Sequence, residues 1–435
     1  MSFARAFTLF SGAAIAIYLY GQRKEQNNTV GTAASPMPNQ TSPDHKLISM
    51  PNSRKLKVGI IGASGKIGSE VLKTIWSNPE KFPNVEIAGT NTVPRVNFGM
   101  YLDFSIAYPE KMLNASKTTL SNNPDAIKDA DVIFITAGLW PDKVTKSNWD
   151  SKDSSGRLVQ SAVNFPLIKK TCNDINKYAP NAIVYVVTNQ VDMMTELARR
   201  ELPKHRVLGI GGLIDSMRYK LVLANLLVEA GYFNICDTSR ISAHVICFHN
   251  GDMQLLKDSL KIDGKSPNLS DQKLADLIDK AMEQTRPLGK AISDLQKHPK
   301  RLDIDSGSSI TPAKAVTDVI QAMSTEKPLT AAFNIAMDSN TAQHYGVTLI
   351  TGLSVPVVIQ GLSITPMPPS AFSISTAEKE KLKTAQEKLN KDTNALFELH
   401  ANQTYLSDSV EDNTTITVNA PKVSLLPSLT ATNRK

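Results

Sequence analysis

The sequence predicts an α/β protein, a doubly wound parallel sheet followed by an α+β second domain. Three observations carry that expectation. Apolar runs at residues 56–61 (LKVGII), 131–136 (DVIFIT) and 182–188 (AIVYVVT) have the length and β-branched content of strands buried on both faces. Helical patterns at 66–77 and 154–177 alternate with them, as parallel strands require. The first strand runs into its helix through the glycine-rich turn Gly62-Ala63-Ser64-Gly65-Lys66-Ile67-Gly68.

The chain of 435 residues exceeds the ~100–200 residues of one domain. Its segments read as an apolar N-terminal signal or membrane anchor (1–24), a flexible linker (25–54), a first domain (55–208), a second domain (209–400) and a polar, flexible tail (401–435). The uncharged run at 7–20 (FTLFSGAAIAIYLY) follows Arg5 and precedes Arg23 and Lys24. As a helix it would span ~21 Å, short of a ~30 Å hydrocarbon core. A signal-peptide core, a short uncleaved anchor and an interfacial helix all fit it, and no small-x-small cleavage site follows closely. Residues 25–54 are rich in Asn, Thr, Ser and Pro without periodicity, which is the composition of a tether.

Composition narrows the function classes. The formal net charge of +7 gathers in no single basic run, which argues against nucleic-acid binding and for attraction to anionic substrates or a membrane surface. Cys172, Cys236 and Cys247 are too few and too scattered for a disulfide framework or a zinc site, so no metal is expected.

In the turn after the first strand, glycines fall as G-x-x-G-x-x-G. Gly62 permits the tight turn, Gly65 lets backbone approach a pyrophosphate, and Gly68 lets the helix sit close on the strand. The helix N-terminus adds amide N–H groups and partial positive charge, so Gly62, Ser64, Gly65, Lys66, Ile67 and Gly68 form a candidate dinucleotide site in a Rossmann-type sheet. A P-loop is excluded because no G-K-[ST] ending follows. Residues 85–88 (VEIA) give the second strand. No carboxylate stands at its end for a ribose hydroxyl; the residue there is Asn91, with Arg95 beyond it. Either Asn91 holds the ribose less selectively or Arg95 meets a 2′-phosphate; NAD is expected ahead of NADP, with NADP open.

Later stretches add chemistry in a fixed order: Thr136-Ala137-Gly138, then Arg157, then Val187-Thr188-Asn189-Gln190-Val191-Asp192. Gly212-Leu213-Ile214-Asp215-Ser216-Met217-Arg218 and Val245-Ile246-Cys247-Phe248-His249-Asn250-Gly251-Asp252 follow. Together they resemble the L-lactate/malate dehydrogenase family, whose motifs read T-A-G, R-x-x-L, N-P-V-D, L-D-x-x-R and H-x-G or H-G-D. Gly307-Ser308-Ser309, Tyr345-Gly346-Val347 and Val355-Pro356 resemble that family's later segments, so the likeness spans roughly residues 56–399.

The resemblance implies hydride transfer between a nicotinamide and a 2-hydroxy/2-oxo acid. His249 would exchange the hydroxyl proton, as an imidazole titrating near neutrality can. Asp215 would fix its tautomer, and Arg218, one helical turn on, would grip the substrate carboxylate with two parallel hydrogen bonds. Arg157 would polarise the carbonyl, Asn189 would hold the reacting oxygen or the nicotinamide, and Ser309 would line the pocket. Thr136, Ala137 and Gly138 would join the cofactor site.

The sequence also departs from the family. The loop from Gly138 to Arg157 is longer, and Pro141 stands where the family keeps its substrate-sorting residue. Lys143, Lys146 or Lys152 could supply a cation there, while Trp140 and Trp149 could enclose a bulkier substrate. Gln190 replaces a proline, and Phe248 a smaller or acidic residue. Malate/oxaloacetate is expected ahead of lactate/pyruvate. The alternative is a catalytically silent, membrane-tethered dinucleotide-binding protein of the same fold. A nicotinamide pool places the enzyme in the cytosol or an equivalent space, with residues 7–20 as a possible membrane contact. N-x-[ST] triplets such as Asn114-Ala115-Ser116 are then accidental. The family implies a homodimer or homotetramer.

Overall fold

Parallel strands covered on both faces should send alternate side chains into two separate cores. In the computed structural model they do. The structure describes residues 55–91, 94–112, 117–139, 156–246, 248–249, 253–296, 308–325, 327–349, 351–401 and 415–418. Strand β4 (Val132–Ile135) sends Val132 and Phe134 into one apolar cluster and Ile133 and Ile135 into another. Strand β5 (Ile183–Val186) divides in the same way, Tyr185 to the first cluster and Val184 and Val186 to the second.

The chain runs β1 (Leu56–Ile61), α1 (Lys66–Ser77), β2 (Val85–Thr90), α2 (Pro94–Ala107), β3 (Lys117–Ser121) and β4. It continues through α3 (Gly156–Tyr178), β5, α4 (Val191–Glu201), β6 (Val207–Gly209) and α5 (Gly211–Glu229). Six parallel strands stand in the order β3-β2-β1-β4-β5-β6. That order reverses between β1 and β4, so a crevice opens beyond their carboxyl ends.

Two short antiparallel pairs follow α5: β7 (Ile241–Ser242) with β10 (Lys261–Ile262), and β8 (Val245–Ile246) with β9 (Gln254–Leu255). Then come α6 (Gln272–Gln296), α7 (Ile310–Ser324), β11 (Leu329–Ile335), α8 (Ser339–Tyr345), β12 (Leu353–Gln360), β13 (Ser363–Pro366) and α9 (Thr376–Ala401). Strands β11, β12 and β13 extend the main sheet antiparallel beyond β6. The second half is thus α+β, as expected, and shares its sheet with the first.

Two expectations change. Strand β3 (KTTLS) was not legible, because Leu120 is the one apolar residue in it and no period shows. The polar composition of 401–435 predicts no element, yet β14 (Thr415–Val418, TITV) pairs antiparallel with β3. Its alternating β-branched residues suit a strand, and pairing covers the edge that β3 would otherwise expose. The expected anchor and linker (1–54) and the loop at 140–155 lie outside the described residues. So do Cys247, residues 250–252, Gly307 and the rest of the tail. No described helix is long and apolar enough to cross a membrane.

Helix α1 is pinned to the sheet by Trp76, which is fully buried and donates its indole N–H to Thr118 Oγ1 (3.2 Å). Its ring packs edge-on against Tyr101 at 5.2 Å. Trp76→Ala is expected to cost about 3–5 kcal/mol, read as a lower urea midpoint with an unchanged slope. A loss below about 1 kcal/mol would exclude this ring from the cooperative core.

Candidate functional site

At the carboxyl end of β1 the chain turns through Gly62 at φ +89°. A Cβ there would lie 2.5 Å from the main chain of Ala137, and one on Gly68 would lie 2.3 Å from the Gly62 carbonyl oxygen. Both positions are therefore closed to side chains, as the spacing predicts. Gly65 precedes α1 with no side chain capping the helix and no acid in its first turn. Ser64 and Ile67 are half-buried beside it, and Lys66 is exposed. A turn stripped of side chains at a helix N-terminus fits a pyrophosphate, because backbone N–H groups and the positive helix end can face it directly.

The ends of β4 and β5 complete the crevice wall. Thr136 Oγ1 donates to the Ile61 carbonyl (2.9 Å), and Thr188 Oγ1 donates to the Ala137 carbonyl (2.6 Å). A Cβ on Gly138 would meet Thr188 at 3.4 Å. Asn91 follows β2, its main-chain N–H bonded to the Ser121 carbonyl (3.0 Å). No described residue at that strand end brings a carboxylate into the turn. The side chain of Arg95 lies outside the described residues.

Asn189 follows β5 and is exposed at the crevice; the Asn189–Gln190 peptide is cis. Gln190 stands where the family keeps a proline, and the turn is braced from α3 instead. The buried Asn164 of α3 accepts from the Leu139 N–H (2.7 Å) and donates to the Leu139 carbonyl (3.1 Å) and the Asn189 carbonyl (3.3 Å). One amide thereby ties the end of β4 to the end of β5.

Beside that turn lies a buried ionic cluster. Asp215, fully buried in α5, meets His249 Nδ1 at 2.8 Å through Oδ2 and Arg218 Nη1 at 3.2 Å through Oδ1. A carboxylate only accepts, so Nδ1 carries the proton and Nε2 is the basic nitrogen. A helix-cap role for Asp215 is excluded, since it stands within α5. Arg218 is buried as well, and its Nε has no hydrogen-bond partner among the described residues. An unpartnered guanidinium edge in a buried setting is a ready acceptor site for an anion. Close packing fixes the ring: a Cβ on Gly211 would lie 2.6 Å from the Cβ of His249.

The structure thus brings His249, Asp215 and Arg218 together and sets Gly62–Gly68, Thr136–Gly138 and Asn189 along one crevice. Arg157 occupies the first turn of α3, with its side chain outside the described residues. Ser309 takes the N-cap position of α7, half-buried and making no side-chain cap bond.

One participant was missed. Asp192 Oδ2 accepts the main-chain N–H of His249 (2.5 Å), and its Oδ1 accepts from Asn334 Nδ2 (2.6 Å). Asn334 Oδ1 in turn accepts from Arg199 Nη1 (2.8 Å). Burial raises the Asp192 carboxyl above the usual carboxylate range, against the pull of His249 and Asn334. Burial also pushes the Arg199 guanidinium down to about 10, opposed by Glu196 and Asp192. In sequence Asp192 is an acid in the first turn of a helix, where the helix dipole alone accounts for it.

Residues 56–209 match the family model described as lactate/malate dehydrogenase, NAD binding domain. The chain is 32% identical over 225 residues to a malate dehydrogenase of Aliarcobacter butzleri, an alignment covering 51% of this chain and 65% of that protein. It therefore spans just under two thirds of that relative's length. Identity to a malate dehydrogenase of Bacteroides fragilis is 31% over 232 residues, covering 52% of this chain and 67% of the other. Among solved structures, a Cryptosporidium parvum lactate dehydrogenase complexed with lactic acid and nicotinamide adenine dinucleotide superposes with a TM-score of 0.63. Identity there is 22%, with 81% of this chain and 99% of that one covered, a likeness of fold.

Gly68→Ala should weaken dinucleotide binding by about tenfold or more (~1.4 kcal/mol), measured by titration of reduced-nicotinamide fluorescence, with far-UV circular dichroism unchanged. Wild-type affinity in this variant would remove the pyrophosphate from the turn.

Proposed function

The chain belongs to the lactate/malate dehydrogenase family, and from that premise we propose that it is an NAD-dependent L-2-hydroxyacid dehydrogenase acting on malate and oxaloacetate ahead of lactate and pyruvate. The single observation that carries the reading is the buried His249–Asp215–Arg218 cluster in a chain whose first turn is closed to side chains at Gly62 and Gly68. Residues 55–208 would form the dinucleotide half and 209–400 the substrate half.

Bound nicotinamide supplies the hydride acceptor in one direction and the donor in the other. The protein's residues manage the proton and the charge. His249 Nε2 takes the hydroxyl proton of the 2-hydroxy acid, because Nδ1 is committed to Asp215. Asp215 stabilises the resulting imidazolium without itself taking the proton. Arg218 offers its unpartnered edge to the substrate carboxylate, which fixes the reacting carbon relative to His249. Asn189 donates to the reacting oxygen or positions the nicotinamide, Arg157 polarises the carbonyl, and Ser309 lines the pocket.

For the cofactor, Gly62, Ser64, Gly65, Lys66, Ile67 and Gly68 would hold the pyrophosphate, with Thr136, Ala137 and Gly138 opposite. Asn91 would take the ribose. The family model's description favours NAD, and the missing carboxylate at Asn91 leaves room for NADP. Likeness to malate dehydrogenases and the lysines at 143, 146 and 152 support a dicarboxylic substrate. A homodimer or homotetramer is the assembly we assign. Residues 1–24 would tether the enzyme to a membrane face open to a nicotinamide pool.

With each cofactor and a panel of 2-oxo acids, reduced-nicotinamide absorbance should fall fastest with NADH and oxaloacetate. His249→Ala should lower kcat by about 10²–10⁴. A panel with no turnover, or a His249→Ala variant as active as the wild type, defeats the dehydrogenase reading. For the tether, deletion of residues 1–24 should move the protein from the membrane fraction to the supernatant, and unchanged fractionation would rule the tether out.

A further inference from the structure

His249 is gripped twice. Its ring meets Asp215, as the proposed chemistry needs, but its main-chain N–H is also donated to Asp192 Oδ2 at 2.5 Å. Asp192 lies on a different element, three residues after Asn189, in the first turn of α4. The surroundings of Asp192 are built for this contact. Asn334 of β11 donates Nδ2 to Asp192 Oδ1 (2.6 Å) and to the Gly352 carbonyl (3.2 Å). Arg199 stands on α4 at a spacing of seven residues, so it shares a face with Asp192. Its Nη1 reaches Asn334 Oδ1 (2.8 Å), and its Nη2 the carbonyls of Asn334 (2.7 Å) and Val207 (3.1 Å).

All three side chains are buried. Room for them is made by a missing side chain. A Cβ on Gly352 would fall 2.2 Å from Arg199 Nη1 and 2.4 Å from Asn334 Oδ1. The hydrogen-bond pattern also states the charge. Both oxygens of Asp192 accept, one from an amide N–H and one from a peptide N–H, so a proton on either would face a donor.

We propose that Asp192 is a positioning residue for His249: its carboxylate, hydrogen-bonded by Asn334, pins the His249 main chain and sets the imidazole between two buried carboxylates. This rests on the dehydrogenase reading and deepens it. The charged groups facing Asp192 are His249 from the loop after β8, Asp215 of α5 with its Arg218, and Arg199 of α4, which Glu196 faces in turn. An anion beside an imidazole favours its protonated form. Reduction of the oxo acid needs that form and fades as pH rises and the imidazolium loses its proton. Loss of the Asp192 charge must therefore move this fading to lower pH.

The test compares wild type, Asp192→Asn, and the exchange Asp192→Asn with Asn334→Asp. In the single variant two amide NH₂ groups meet. In the exchange the amide at 192 donates toward 334 and accepts from His249, while the carboxylate has moved one residue away, sits directly on Arg199 and gives up the bond to the Gly352 carbonyl. A purely structural Asp192 predicts that rate and pH profile recover in step with whatever melting temperature the exchange regains. The proposal predicts that melting temperature rises above that of the single variant while the pH profile stays with it. The alkaline limb of kcat/KM for oxo-acid reduction should stay lower by roughly one pH unit, a tenfold effect, and ¹⁵N-histidine NMR of the cofactor-free protein should report the same shift at His249.

A His249 titration equal to wild type in both variants overturns the proposal. Should Asp192→Asn fail to fold, the exchange carries the comparison. In the wild type itself the His249 amide proton should resonate downfield and exchange slowly, and a freely exchanging amide sinks the proposal whichever variants fold. A wild type with no turnover defeats the dehydrogenase reading instead and leaves the NMR comparison intact.

Discussion

The carboxylate of Asp215 serves two partners at once, and much of the second half is arranged to let it. A fully buried carboxylate is tolerated only when its oxygens are satisfied and its charge is answered. One oxygen takes the His249 ring and the other takes Arg218. That fixes where α5 runs, since Asp215 and Arg218 must share a face one turn apart and both face inward. It also fixes how α5 begins, because Gly211 lies flush against His249, and a Cβ on Gly212 would meet the Cβ of Ser354 in β12 at 2.6 Å. The helix is buried along most of its length, since it packs against β11 and β8 as well as against α6.

The two sites in the crevice use opposite chemistry. The dinucleotide turn is made of backbone: Gly62 and Gly68 cannot carry side chains, and no acid stands in the first turn of α1. A pyrophosphate arrives with its own charge and needs only N–H groups and space. The proton site is made of ionisable side chains held out of water. Their strength there comes from the low local dielectric, which would make any unanswered charge costly. Asn164 joins the two, because it bonds both the end of β4, beside the glycine turn, and the turn that leads from Asn189 into α4.

What was legible in the sequence follows the same physics. Strands β1, β4 and β5 are buried on both faces and read as unbroken apolar runs, so β1 and α1 were placed to the residue. Strand β3 has one apolar residue in five, and β14 alternates Thr with Ile and Val at the sheet edge, which resembles loop composition. His249, Asp215 and Arg218 were readable as an ordered set of motifs, although they come from separate elements. Asp192 stood in the Asn189–Asp192 motif without a role of its own, and Arg199 stood in none. Arg199 and Arg200 are adjacent, one buried in the Asn334 contact and the other half-exposed beside Glu196, and nothing local distinguishes them. Only tertiary contact does.

Charge balance in the cluster ties these pieces to the proposed chemistry. Asp192 and Asp215 supply two negative charges, and Arg199 and Arg218 supply two positive ones. The neutral imidazole therefore sits in a set that is already balanced. A 2-oxo acid brings a further carboxylate to Arg218, which then answers two anions. The deficit of positive charge is made good if His249 is protonated, so the oxo acid and the proton should favour each other's binding. A 2-hydroxy acid surrenders its proton to the same nitrogen and restores the same balance from the other side. On the proposed chemistry the proton and the substrate carboxylate would be coupled through Arg218 and Asp215, which lie buried one turn apart on α5.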